Sequence, residues 1–239
     1  MTTKFGFLAK LEFLQDWAST FIANINPAVV HNLEKYHALK KVHYLSAIED
    51  IEGDYLEFGV FKGSSFCHSI RCCKQIAKLN PKVLQTKFYG FDSFAGFGAL
   101  NEEEKHPFYA DENFETSLPL VERRVRRIAV NNLAFKLIPG FFDESLKYGA
   151  VSMGIKKSKI IFIDSDTYSS ASEALNFCAP TVQEGTFIIL DDYFSYKGNE
   201  SKGVARAFSE FTTQSRIKVR RVFTYGMGGA VYVVSEKTE

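Results

Sequence analysis

The sequence predicts an α/β fold: a doubly wound, mostly parallel sheet that ends in an antiparallel C-terminal hairpin strand and follows an N-terminal helical extension. Three observations carry this. From Asp54 onward, short apolar runs alternate with helical patterns, which is the pattern of strand–helix units in a parallel sheet. Two of the runs, Lys159-Ile160-Ile161-Phe162-Ile163 and Thr186-Phe187-Ile188-Ile189-Leu190, are almost wholly apolar and stop abruptly at carboxylates. Strands buried on both faces read this way. Near the C-terminus, Tyr225-Gly226-Met227-Gly228-Gly229 joins Ile217–Thr224 to Ala230–Val234 as a glycine-rich hairpin turn.

The elements follow in order. Residues 1–50 read as the helical extension, with Phe7, Leu8, Leu11, Phe13, Leu14, Trp17 and Phe21 at near-helical spacing. Pro27 interrupts the pattern, and a second helix runs toward Ile48. The extension is expected to pack on the main domain, residues 51–239, or to form an oligomer contact in a homodimer. Tyr55–Gly59 is the first strand, Ser64–Leu79 a helix and Lys87–Asp92 the second strand. A loop rich in Phe, Gly and Glu runs to about Ala110, and a basic helix follows to about Ala129. Phe135–Ile138 is a strand and Asp143–Tyr148 opens a short helix. The two acid-tipped strands enclose a helix over Ser169–Ala179, and Lys202–Thr213 is the last helix.

Composition narrows the function classes. The 239 residues are enough for one sizeable domain with a short extension, and the net charge of +1 gives no field aimed at nucleic acid or a membrane surface. Neither partner is expected. None of the four cysteines (Cys67, Cys72, Cys73 and Cys178) forms a Cys-x-x-Cys pair, so a reducing cytoplasm is expected rather than a disulfide framework or a zinc site. No signal-peptide pattern or bilayer-length apolar stretch is present, which again predicts a cytoplasmic protein.

The strand ends carry the chemistry. In open α/β sheets, ligands bind outside the C-terminal ends of the strands. If the two acid-tipped strands are neighbours, about 4.8 Å apart, then Asp164, Asp191 and Asp192 converge, and a bound cation would relieve their repulsion. Asp166 reads better as a cap for the following helix. The first turn, Glu57-Phe58-Gly59-Val60-Phe61-Lys62-Gly63-Ser64-Ser65, places glycines where a ligand needs close backbone approach. Ser64 or Ser65 is expected to cap the helix. Asp92, at the end of the second strand, is placed to take the hydroxyls of a ribose.

These residues resemble a known family. Glu57-x-Gly59-Val60-x-x-Gly63-x-Ser65, Asp92-Ser93-Phe94-x-Gly96, Gly140-x-Phe142-x-Glu144-Ser145-Leu146, Asp164-x-Asp166-x-Tyr168 and Asp191-Asp192-Tyr193, in that order, are similar to the macrocin O-methyltransferases. Those are class I S-adenosylmethionine-dependent enzymes that methylate sugar and related hydroxyls. The resemblance runs from about Gly53 to the C-terminus. It implies a Rossmann-like seven-stranded sheet whose first, fourth and fifth strands are adjacent. It also implies a cofactor-binding set of Glu57, Gly59, Gly63, Ser65, Asp92, Ser93 and Asp164. Glu57 and Gly59 would border the amino-acid end of S-adenosylmethionine, and Asp92 would hold its ribose. Asp164, Asp191 and Asp192 would bind Mg²⁺ or another hard divalent cation, with Asp164 also the catalytic base. Two departures stand out: Ser165 where the family often has glycine, and Tyr168-Ser169-Ser170 where a glutamate commonly follows the tyrosine.

The expected reaction is methyl transfer to a hydroxyl of a sugar, natural-product or catechol-like small molecule, since a vicinal diol would chelate such a metal. A metal-dependent nucleotide-sugar transferase, suggested by Asp164-x-Asp166, is the first rival, and a non-catalytic S-adenosylmethionine-binding domain the second. Arg123, Arg124, Arg126 and Arg127 read as a solvated helix face. His106 reads as a surface residue, with the pocket wall as its other reading. His31, His37 and His43, six residues apart, receive no metal role. Tyr193, Phe194 and Tyr196 open a segment (193–202) that reads as a lid over the site.

Overall fold

The computed structural model describes residues 11–98, 101–107, 114–129 and 133–238. Phe7 and Leu8, and the loop end at Tyr109 and Ala110, lie outside them. Seven strands form one sheet: β1 (Asp54–Phe58), β2 (Phe88–Asp92), β3 (Phe135–Pro139), β4 (Ser158–Ile163), β5 (Phe187–Leu190), β6 (Ile217–Tyr225) and β7 (Gly229–Lys237). Their spatial order is β3-β2-β1-β4-β5-β7-β6. The first five are parallel, and β7 pairs antiparallel with both β5 and β6. The doubly wound sheet and its terminal hairpin therefore match the sequence reading.

The helices divide between the two faces. α2 (Pro27–Ile48), α3 (Ser64–Ile76) and α4 (Leu118–Ile128) cover one core layer, built on Tyr55, Phe66, Phe88, Phe162 and Ile189. α7 (Tyr168–Cys178) and α8 (Gly203–Gln214) cover the other, built on Leu56, Phe58, Phe91, Ile161 and Leu190. Two short helices, α5 (Phe142–Ser145) and α6 (Gly149–Ser152), precede β4. Every residue of β4 and β5 is buried, which is why Ile160–Ile163 and Phe187–Leu190 read as continuous apolar runs rather than alternating ones.

The N-terminal extension splits in behaviour. α1 (Glu12–Asn24) buries none of its residues; Trp17 and Phe21 stack on each other at 5.8 Å, both exposed. The expected packing onto the domain falls to α2 instead. Its N-cap is Asn26, whose side chain accepts from the Ala28 N–H at 2.9 Å, with Pro27 in the first turn. Lys35, Ala38, Leu39, Val42, His43, Ser46 and Ala47 form its buried stripe, at the three- and four-residue steps of one helix face.

Two capping expectations are corrected. Gly63, at φ 74°, holds the N-cap position of α3, and no side chain caps that end. Ser65 turns inward to Glu57, while the Ser64 hydroxyl meets Arg124. Asp166 does not cap α7; Thr167 does, accepting from the Ser170 N–H at 3.3 Å.

Phe162 is fully buried in the middle of the sheet. Phe162→Ala should lower the unfolding free energy by about 3–5 kcal/mol through lost transfer energy and a residual cavity. Chemical denaturation checks this.

Candidate functional site

The strand order reverses between β1 and β4, and ligands of doubly wound sheets bind at such a crossover. Register does the rest. Phe58 lies opposite both Phe91 and Ile163, and Ile163 opposite Leu190. The ladder continues one residue further: Asp164 N–H donates to Phe58 O, Asp191 N–H to Ile163 O and Gly59 N–H to Phe91 O, at 2.8–3.0 Å. Gly59, Asp92, Asp164 and Asp191 therefore stand side by side at one sheet edge. They line a cavity of about 740 Å³.

Gly59 sits at φ 93°, and a Cβ there would lie 1.8 Å from the Asp164 carbonyl oxygen. The β1–β4 crossing is thus too tight for any side chain. Asp92 accepts the Phe61 N–H at 2.7 Å on one oxygen and the Phe94 N–H at 2.6 Å on the other. Burial raises its pKa, and those backbone donors oppose the rise. Ser93 also lines the cavity, its hydroxyl donating to Gly96 O at 2.7 Å.

Glu57, Gly63 and Ser65 do not line the cavity wall. Glu57 is fully buried beneath it, bonded to the Tyr55 hydroxyl and to Ser65 Oγ. Burial raises its pKa to about 7 against the help of those donors and of Lys35. Its visible role is to fix strand β1 to the start of α3.

Carboxylate oxygens of Asp164, Asp191 and Asp192 lie within 4.8 Å of one another, as the strand ends predict. Asp166, at φ 62°, turns its carboxyl to Asp192 and joins the cluster. Sequence reasoning missed what balances these charges. Lys35 Nζ, from α2, sits 2.8 Å from Asp164 Oδ2 and 2.6 Å from Asp191 Oδ2. The Tyr225 hydroxyl donates to Asp191 Oδ1 at 2.6 Å. His31 Nδ1 accepts the Met227 N–H at 3.2 Å, so its other ring nitrogen carries the hydrogen donated to Asp191 Oδ2 at 3.1 Å. The signal for Lys35 is its place at the head of the buried stripe of α2, one turn before Ala38, Leu39 and Val42, with His31 one turn earlier.

The electrostatics follow from this crowding. Burial disfavours the Lys35 ammonium, but the charges of Asp164 and Asp191 override it and hold its pKa well above the lysine value. Burial also works to raise Asp191, yet Lys35 and His31 hold its carboxyl below the ordinary range. Asp164 and Asp166 go the other way: burial first, then neighbouring carboxylates, raise both well above the usual value. Ser165, between them, is 9% exposed and lines the cavity, and its hydroxyl has no hydrogen-bond partner among the described residues.

Six phenylalanines also line the wall, Phe61, Phe97, Phe114, Phe141, Phe142 and Phe194, beside polar residues such as Asn32 and Ser170. His106 lines it too, edge-on to Tyr196 at 5.4 Å. Phe194–Lys197, within the segment read as a lid, closes one side, and the Tyr196 hydroxyl donates to Glu104 O at 3.0 Å. The arginines of α4 lie on an exposed face, with Arg126 paired to Glu122.

This sheet order, with the cavity at its crossover, is that of the Rossmann-like methyltransferases. The O-methyltransferase NovP shares the fold at a TM-score of 0.66 and 18% identity, over 84% of this chain and 79% of that one. The calicheamicin methyltransferase CalS11 does so at 0.66 and 16%, over 90% and 85%. The chain belongs to the macrocin O-methyltransferase (TylF) family, whose match covers residues 15–223 and so takes in most of α1 and all of α2, well before Gly53. Mycinamicin III 3''-O-methyltransferase of Micromonospora griseorubida is 25% identical over 70% of this chain and 66% of its own length. An 8-demethyl-8-(2,3-dimethoxy-alpha-L-rhamnosyl)-tetracenomycin-C 4'-O-methyltransferase of Streptomyces olivaceus is 23% identical over 70% and 64%. The chain thus spans just under two thirds of the curated relatives it matches.

Two predictions test the site's foundations. Gly59→Ala should destabilise the fold by at least about 3 kcal/mol, from positive-φ strain plus a backbone collision, read by urea unfolding. Glu57 holds its proton more tightly folded than unfolded. The stability it contributes is therefore full below pH 4.5 and lost as pH rises toward about 7. Across that window, wild type should lose on the order of 3 kcal/mol relative to Glu57→Gln, measured by denaturation at stepped pH.

Proposed function

We propose that this chain is an S-adenosylmethionine-dependent O-methyltransferase that uses Mg²⁺, or another hard divalent cation, to methylate a sugar hydroxyl of a natural product. The observation that carries the reading is that Asp92, Gly59 and the acid cluster share one cavity, in a chain of this family. The rhamnosyl compound named for the Streptomyces relative supports a sugar acceptor. In this reading residues 51–239 are the catalytic domain, and the 1–50 extension completes the site through α2.

The donor set fits a cation. Three carboxylates are hard oxygen donors within reach of one centre, and the site already holds an ammonium at 2.6 and 2.8 Å. Asp164, Asp191 and Asp192 would hold the ion, which supplies positive charge that makes an acceptor hydroxyl more acidic. S-adenosylmethionine supplies an electrophilic methyl group on a sulfonium.

The chain's own residues do the rest. Both Asp92 oxygens keep acceptor capacity after taking a backbone N–H each, so they suit a ribose diol. Gly59 lets β1 close against Asp164, which sets the acid cluster beside the strand end that would take the nucleoside. Asp164, at the cavity end of its strand, would accept the proton of the acceptor hydroxyl. The phenylalanines of the wall would pack against the acceptor and limit its orientations relative to the methyl group.

Calorimetric titration with S-adenosylmethionine and S-adenosylhomocysteine, with and without Mg²⁺, tests the reading. Asp164→Asn should lower kcat by about 100-fold or more while cofactor affinity changes little. Full activity in saturating chelator would remove the metal from the scheme; no binding of either cofactor form would end the assignment.

A further inference from the structure

We infer that Lys35 is a resident cation of the acid cluster, and that a divalent ion binds there only in competition with its ammonium group. The inference rests on the proposed divalent site and adds a determinant of its affinity that lies in the N-terminal helix rather than at the strand ends.

The geometry is specific. Lys35 Nζ is bonded to Oδ2 of both Asp164 and Asp191, which are two of the three carboxylates that would hold the metal. It is not a surface lysine that has fallen into a pocket: its side chain is 10% exposed, and its ammonium lies 5.7 Å from the Phe162 ring centroid. Its helix is fixed on both sides of that position. One turn earlier, His31 bridges Asp191 to the Met227 N–H, and Glu34 accepts the Gly226 N–H at 2.6 Å. Below it, Ala38, Leu39 and Val42 are packed into the core. The ammonium is delivered to the carboxylates by a rigid element.

A divalent ion drawing on the same two Oδ2 atoms would face that ammonium across a short, poorly hydrated gap, where like charges repel strongly. The two cations exclude each other. Lys35 has a long flexible stem and can withdraw into the cavity while α2 stays in place. Removing the ammonium has opposite effects with and without metal. Without metal, it leaves buried carboxylates uncompensated. With metal, it removes the competitor.

Three proteins test this: wild type, Lys35→Met, which keeps the stem and drops the charge, and Lys35→Arg, which keeps the charge. Mn²⁺ binding is measured by calorimetry and by the electron paramagnetic resonance signal of free Mn²⁺, with thermal unfolding run at each metal concentration. Lys35→Met is expected to bind Mn²⁺ at least tenfold more tightly than wild type, and Lys35→Arg no more tightly. Lys35→Met should melt below wild type in chelator and gain more from Mn²⁺ than wild type does. Equal or weaker binding by Lys35→Met overturns the competition. Absence of Mn²⁺ binding by all three overturns it as well, and with it the divalent site. S-adenosylmethionine titrated into the same samples reports separately on the methyltransferase reading.

Discussion

The site depends on one electrostatic constraint: carboxyl groups from two neighbouring strands are forced together at a buried sheet edge. Asp164, Asp166, Asp191 and Asp192 belong to one cluster, and only Lys35 reaches into it with a full positive charge among the ion pairs of the described residues. Buried like charges at such distances are tolerated only when protons or cations compensate them. The cluster shows both responses. Asp164 and Asp166 hold their protons more tightly, while Asp191 stays ionised against the ammonium and the hydrogen bonds from His31 and Tyr225.

The sheet makes this crowding unavoidable. Parallel register places Gly59, Asp164 and Asp191 at equivalent heights on adjacent strands, and the absence of a Cβ at Gly59 lets β1 and β4 close up without a gap. The apolar interior of the same strands excludes water from below, so the acids face a cavity on one side and hydrocarbon on the other. A pocket for a nucleoside and a nest of carboxylates therefore arise from one arrangement of β1, β2, β4 and β5.

Much of this was legible in the chain. Asp92, Asp164 and Asp191 stand out because each follows an apolar run that forms the buried part of its strand. The terminal hairpin stood out because its glycines are concentrated in one turn. What stayed hidden depended on contacts between distant segments. Ser65 lies at the start of a helix and Asp166 just before one, which locally signals a cap; Ser65 instead meets Glu57, and Asp166 adopts a positive φ toward Asp192. The six-residue spacing of His31, His37 and His43 gives no local sign of the hydrogen bond His31 makes to Asp191, 160 positions away. A single lysine in an amphipathic helix normally reaches solvent, so nothing local ties Lys35 to acids at distant strand ends.

That last case changes how the N-terminal helices relate to the site. By composition, residues before Asp50 form an appendage, and α1 behaves as one, with all its apolar side chains outside the core. α2 does not. Its buried stripe runs from core residues at Ala47 and Val42 up to Lys35, so the face that anchors it to the sheet also delivers its charge to the acids. Packing and chemistry are thus coupled along one helix. The hydrophobic contacts of its C-terminal half fix how far the ammonium reaches. The acids in turn make a buried lysine stable there, which no apolar surrounding could do. A shift of α2 by one turn would carry Lys35 away from Asp164 and Asp191 while also breaking the Ala38–Leu39–Val42 packing. The position of the cation is therefore set by the same interactions that hold the helix to the fold.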